Sequence, residues 1–208
     1  MKKITIFSVL LIILITGWSL FAVQYFEKES TEFHGKQYYK IAPQFSLTDH
    51  NGKEVNLSDY KNKLVLLSWG FTNCPDICPL TLSTLKKVMS NLGEHAENVQ
   101  VLFITVDPER DIPERLKSYV PNFHESFIGL TGSREEIDKV VENYGAFYFI
   151  HSDAYGRSER DTWESYQLTH TTNISLIDGR GRMIVYYPYN KWDADGISRD
   201  INTLLNEN

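Results

Sequence analysis

The stretch that most restricts how this chain can fold is "KLVLLSWGFTNCPDICPLTLSTLKKVMSNLG", residues 63–93. Lys63 to Phe71 is a short, near-continuous apolar run, the pattern of a strand buried on both faces. Directly after it come Cys74 and Cys78, each followed by a proline, and they are the only two cysteines of the chain. Leu82, Leu85, Val88, Met89 and Leu92 then recur at helical spacing, with Gly93 as the stop. Pro79 biases Cys78 away from the helical region, so the regular helix is expected to begin near Pro79, with Pro75 holding a turn before it.

The same alternation continues downstream. "NVQVLFITVDPERD" contains a second buried strand, Val99 to Val106, and "IPERLKSYV" a short helix with Pro113 near its start. Phe127 to Leu130 is a brief strand, and "SREEIDKVVENYG" a helix with Ser133 as N-cap, Glu136 three residues on and Gly145 as the stop. Upstream, Phe45–Leu47 and Glu54–Leu57 flank Asn51-Gly52, a hairpin signal. Ala146 to Ile150 and Tyr166 to Leu168 are expected to pair across the charged segment between them. "TNISLIDGRGRMIVYY" is a hairpin with its turn at residues 178–181, and "DADGISRDINTLLNEN" a closing amphipathic helix. Buried strands alternating with helices indicate an α/β sandwich. A strand–dithiol–helix junction followed by a β-hairpin and a last helix resembles the thioredoxin fold, here with an N-terminal β-hairpin and an inserted hairpin.

The first residues are of another kind. Lys2 and Lys3 precede an uncharged apolar run from Ile4 to Val23, and about 20 residues is the length that spans a bilayer as a helix. With no Lys/Arg cluster immediately after it, the bias places the N-terminus inside and the domain outside the membrane. Residues 1–23 are thus expected to be a transmembrane anchor, 24–40 a polar juxtamembrane linker, and 41–208 the folded domain, at the cell membrane and facing the extracytoplasmic side. The competing reading is a signal peptide cleaved near Gly17-Trp18-Ser19. No cysteine lies near the end of the run to carry a lipid. The net charge of −6 and the lack of a basic tract argue against a nucleic-acid partner.

Three kinds of chemistry suit two cysteines at a strand-to-helix junction. Backbone N–H groups at a helix start favour thiolate, so both sulfurs are candidates for reactivity rather than inert core. Outside the cytosol they can close to a disulfide. A thioredoxin-type oxidoreductase, however, uses Cys-x-x-Cys and a proline before the facing strand. Here the spacing is one residue longer, and no proline lies between Pro121 and Pro188. Soft sulfur ligands suit Cu(I), and an added imidazole admits Cu(II). Of six histidines, His34 falls in the linker, His50 in the first hairpin turn, His95 past the first helix, and His124 and His151 in loops. His170 immediately precedes the strand starting near Asn173. That strand runs antiparallel to the central one in this fold, which brings His170 beside the cysteines.

Cys74-Pro75-Asp76-Ile77-Cys78-Pro79, "VDPERD" at 106–111 and His170-Thr171, with the N-terminal apolar run and the thioredoxin-like order, resemble the Sco/SenC family of membrane-anchored copper proteins. The resemblance implies copper, as Cu(I) or Cu(II), bound by Cys74, Cys78 and His170. It also implies a metallochaperone, monomeric, that helps assemble the binuclear copper centre of cytochrome c oxidase, with the oxidase's copper-binding subunit as partner. The alternative is a thiol–disulfide oxidoreductase that keeps that subunit's cysteines reduced through a Cys74–Cys78 disulfide cycle. A peroxidase is a weaker third reading, since no thiol-activating Arg motif is found. Asp107 either caps its loop or supports the metal site or a docking partner from behind the ligands.

Overall fold

The computed structural model describes residues 11–19, 33–151 and 167–206. Contacts divide the chain into two units, 1–33 and His34–Asn208. In the first, residues 11–19 are helical. Among the described residues no helix is long and apolar enough to cross a membrane. Both ends of the Ile4–Val23 run, and residues 24–32 of the expected linker, lie outside the described residues.

The second unit contains β1 (Lys36–Ile41), β2 (Ser46–Asp49), β3 (Glu54–Asn56), β4 (Leu64–Gly70), α1 (Ile77–Leu92), β5 (Val99–Thr105), α2 (Pro113–Tyr119), β6 (Ile128–Thr131), α3 (Arg134–Asn143), β7 (Tyr148–His151), β8 (Gln167–His170), β9 (Ile174–Ile177), β10 (Arg182–Tyr187) and α4 (Ala194–Asn206). Eight strands make one mixed sheet in the order β1-β10-β9-β4-β5-β6-β2-β3. The parallel core β4–β5–β6 arises from the two helical crossovers. Every residue of β4 and β5 is buried, which is why both read as unbroken apolar runs. The fold is mixed α/β, with the expected strand–thiol loop–helix order ending in β9, β10 and α4. The expected N-terminal hairpin is β2–β3, turning through Gly52 at a positive φ of 79°.

Two expectations need correction. Residues 36–40, assigned to the linker, belong to edge strand β1, paired antiparallel with β10. All six residues of β1 are exposed, so no alternation of buried and exposed positions marked it as a strand. The helix that follows Cys74 begins at Ile77, not near Pro79, and takes in Cys78. Pro79 sits in the first turn, where a missing N–H breaks no intrahelical bond, and that outweighs its bias on Cys78.

The expected pairing of the inserted segment is found between β7 and β8, which form a separate two-stranded sheet with Tyr148 opposite His170. Its outer side chains Phe149 and Ile150 are exposed. The charged residues between the two strands lie outside the described residues.

Candidate metal centre

The centre forms where β4 stops. Antiparallel pairing sets Ser68 of β4 opposite Ile174 of β9, so the chain entering β9 lies beside the chain leaving β4. His170 is the last residue of β8, three residues short of the strand the sequence located near Asn173, and it reaches the cysteines from there. Its Nε2 is 3.3 Å from the Cys78 sulfur. One donor atom from each of Cys74, Cys78 and His170 lies within 4.8 Å of the others. Cys78 is fully buried, while Cys74 and His170 are 9% and 7% exposed. The cluster is thus enclosed, with slight exposure at Cys74 and His170.

Each donor is oriented by its neighbours. The His170 Nδ1 lies 2.7 Å from the Thr171 carbonyl oxygen, an acceptor, so Nδ1 carries the proton and Nε2 presents its lone pair to the sulfurs. The Phe71 ring packs edge-on against the imidazole at 5.7 Å. Cys74 closes a turn through its N–H to the Phe71 carbonyl. Gly70 is a close-approach position: a Cβ there would fall 2.5 Å from the Phe103 ring and 2.9 Å from the Cys78 sulfur. Only glycine lets α1 set that sulfur against the end of β4.

The two thiols are driven apart in acidity. Hydrogen bonding from Cys78 holds the Cys74 thiol well below its ordinary range. Burial opposes this, and the N–H groups of Asp76 and Cys78 at the start of α1 reinforce it. Cys78 is pushed up by its hydrogen bond to Cys74, by burial and by the Cys74 charge. Of the two, Cys74 is the more acidic thiol and Cys78 the one held protonated more strongly. Two sulfurs and an imidazole nitrogen, converging among buried side chains, form a donor set that suits a soft or borderline cation.

Asp107 lies just behind. Its side chain is fully buried and pairs with Arg110, whose guanidinium carbon sits 5.9 Å from the centre of the Phe71 ring. A chain of contacts thus runs from Asp107 through Arg110 and Phe71 to His170. The other five histidines lie elsewhere. His34 meets the Lys191 carbonyl, His50 accepts from the Gly129 N–H, and His95 pairs with Asn202. His124 pairs with Ser126 and His151 with Thr169.

Sequence reasoning did not single out Phe71, Gly70, Thr72, Thr105, Arg110 or Asp111. The available signals were Asp111 as the second aspartate of "VDPERD", and a glycine inside an otherwise apolar strand.

The fold and its thiol–imidazole cluster together define a thioredoxin-like domain built around soft metal donors. The SCO1/SenC family profile matches residues 34–206, and the chain belongs to that family. The SCO2-like protein of Rickettsia conorii is 38% identical over 149 residues, covering 71% of this chain and 69% of that protein. Arabidopsis thaliana ScoI, solved with copper bound, superposes with a TM-score of 0.70 at 32% identity, covering 81% of this chain and all of that one. The apo Sco1 protein of Thermus thermophilus gives a TM-score of 0.72 at 35% identity, covering 85% of this chain and 99% of that one.

Proposed function

We propose that this chain is a copper-binding metallochaperone that takes part in assembling the binuclear copper centre of cytochrome c oxidase. The observation that carries the reading is the convergence of Cys74, Cys78 and His170 donor atoms within 4.8 Å of one another. Copper is the metal that fits. Two thiolates satisfy Cu(I), and the imidazole added to them accommodates Cu(II). The protein's own part is to supply these three ligands. Cys74 is ready as thiolate, Cys78 gives up its proton on binding, and the Thr171 carbonyl keeps the His170 Nε2 free. Asp107 steadies the histidine's surroundings through Arg110 and Phe71. The slightly exposed edge at Cys74 is where a recipient's cysteines approach. One chain supplies all three donors, in keeping with a monomer. The apolar run Ile4–Val23 behind two lysines supports a single-pass anchor at the cell membrane, with the folded domain on the extracytoplasmic side.

The depressed Cys74 thiol supports one second reading, a thiol–disulfide oxidoreductase acting on the same client. The two are separated by mixing the copper-loaded chain with the soluble copper-binding domain of the oxidase subunit. If that domain is supplied reduced and gains its binuclear-copper absorption, the metallochaperone reading stands. If the copper-free dithiol reduces the oxidised domain stoichiometrically but the loaded chain transfers no metal, the oxidoreductase reading replaces it.

A further inference from the structure

The Cys74 side of the centre is held by a buried polar clamp that neither the ligand set nor Asp107 explains. Asp111 is fully buried. Its carboxylate accepts three hydrogen bonds: from the Thr72 N–H at 2.9 Å, the Thr72 hydroxyl at 2.5 Å and the Thr105 hydroxyl at 2.6 Å. Its own N–H donates to the Asp107 carbonyl at 2.9 Å. Arg115 Nε donates to the Thr72 hydroxyl oxygen from the other side, at 3.1 Å. Thr105 is the last residue of β5, and its hydroxyl also accepts the Asp107 N–H. The Val106 N–H bonds the Gly70 carbonyl at the end of β4. Thr72 is therefore fixed by both its backbone and its side chain to the ends of the two fully buried strands.

Burying a carboxylate is costly unless it is fully hydrogen-bonded, and a satisfied network of this kind rigidifies what it touches. Here it touches the turn that presents Cys74. That turn runs from Phe71, whose carbonyl accepts the Cys74 N–H, through Thr72. Cys78 is fixed separately, by the first turn of α1 and by the strand end at Gly70. The two sulfurs are thus positioned by different elements, and both are free thiols. Closing a disulfide requires about 2.05 Å between sulfurs with the matching dihedral, so the two sulfurs have to shift toward each other, and the Cys74 turn is one element that can supply the shift. A clamp on Thr72 resists that shift.

We propose that Asp111, with Thr72 and Arg115, is a positioning clamp that keeps the Cys74–Cys78 pair in its open, metal-accepting form and disfavours the disulfide. The proposal rests on reading the two cysteines as the thiol pair of the centre. Its main test contains no copper, so it can fail while the metal assignment stands, and the reverse.

The test is equilibration of the metal-free protein with glutathione buffers. The disulfide and two glutathione thiols exchange with two protein thiols and one glutathione disulfide, and the oxidised fraction is read by mass after acid quenching. Asp111→Asn keeps the shape and loses the charge. Thr72→Val removes only the hydroxyl, and Thr72→Ser restores it. Both Asp111→Asn and Thr72→Val are expected to shift the thiol–disulfide equilibrium toward the disulfide by about tenfold, ~30 mV for a two-electron couple. Thr72→Ser is expected to stay within about twofold of wild type, by the same scale. Thermal unfolding of each variant supplies the control. A purely structural carboxylate would lower the melting temperature and leave the equilibrium of the folded fraction where it was. In a second arm, the Cu(II)-loaded Thr72→Val protein is expected to show an altered sulfur-to-copper charge-transfer band. Unchanged redox equilibrium in Thr72→Val, which is conservative enough to fold even if Asp111→Asn is not, overturns the clamp. So does a shift of equal size in Thr72→Ser.

Discussion

Two regions of this molecule supply one site in opposite ways. The sheet-and-helix body gives Cys74 and Cys78 from a junction in which every residue of β4 and β5 is buried and Cys78 has no exposure. The β7–β8 pair gives His170 from a separate two-stranded sheet whose Phe149 is 59% exposed and Ile150 48% exposed. Three hydrogen bonds between Phe147 and Thr171 continue the pairing of the two strands beyond Tyr148 and His170, and Tyr148 fastens the pair to the body. The Arg134 guanidinium lies 5.0 Å from the Tyr148 ring, and the Tyr148 hydroxyl donates to Asp138. Body packing makes the dithiol a fixed feature, whereas the histidine sits on a two-stranded element that buries Leu168 and His170 but leaves most of β7 exposed. A site that must take up a metal ion and later give it away gains from having its donors differ in this way. Local opening is cheapest where apolar contacts are few.

The contrast can be broken most severely at the body. Cys78→Ser removes a buried donor that no neighbouring group replaces, so the sulfur-to-copper absorption of the Cu(II) form should vanish, as read by titration in the visible range. Next in size is stability. Leu67→Ala deletes a fully buried side chain of β4 and should cost about 2–5 kcal/mol in urea unfolding. Phe149→Ser, on the exposed strand, should stay within about 0.5 kcal/mol. Comparable losses for the two would erase the distinction between body and arm.

Thiol chemistry sharpens the comparison within the body. The Cys74 thiol is held down, chiefly by the Cys78 proton, and Cys78 is held up. Iodoacetamide should therefore modify Cys74 at a rate that stays flat as pH falls from neutral to mildly acidic values, where an ordinary thiol slows tenfold per pH unit. Cys78 should react only after Cys74 is blocked or the protein unfolds, and peptide mapping by mass reads both. The smallest effect belongs to the arm's fastening. Tyr148→Phe removes the bond to Asp138 and, by neutral–neutral or charge-assisted standards, should cost about 0.5–1.5 kcal/mol locally. It should speed amide exchange in β7 and β8 while leaving β4 and β5 unchanged.

This division also explains what could be read from the residues alone. β4 and β5 announce themselves because burial on both faces leaves no polar residue to interrupt the run. The cysteines at the end of β4 follow from adjacency in sequence. His170 was reachable only through topology, since the β4–β9 pairing is what carries a residue 92 positions from Cys78 to within 3.3 Å of it. β1 was missed because an exposed edge strand has no hydrophobic period to detect. The Asp111 clamp was missed for a different reason. It joins Thr72 to an acid 39 positions away through hydrogen bonds between polar residues that carry no spacing rule of their own. Asp107 drew attention as the acid beside a proline, but its partner Arg110, three residues on, becomes meaningful only once Phe71 and His170 are seen packed together.

The central claim is that body and arm bind one metal ion jointly. It is met most directly by Cu(II) electron paramagnetic resonance of the wild-type domain and of His170→Ala, each loaded with one equivalent of copper after full reduction. The expected wild-type spectrum carries nitrogen superhyperfine splitting from one imidazole together with a strong sulfur charge-transfer band. In His170→Ala the imidazole splitting should disappear, Cu(II) affinity should fall at least tenfold, and Cu(I) should remain bound to the two sulfurs. A His170→Ala protein whose Cu(II) spectrum and affinity match wild type would contradict the claim, because the metal would then be held by the body alone.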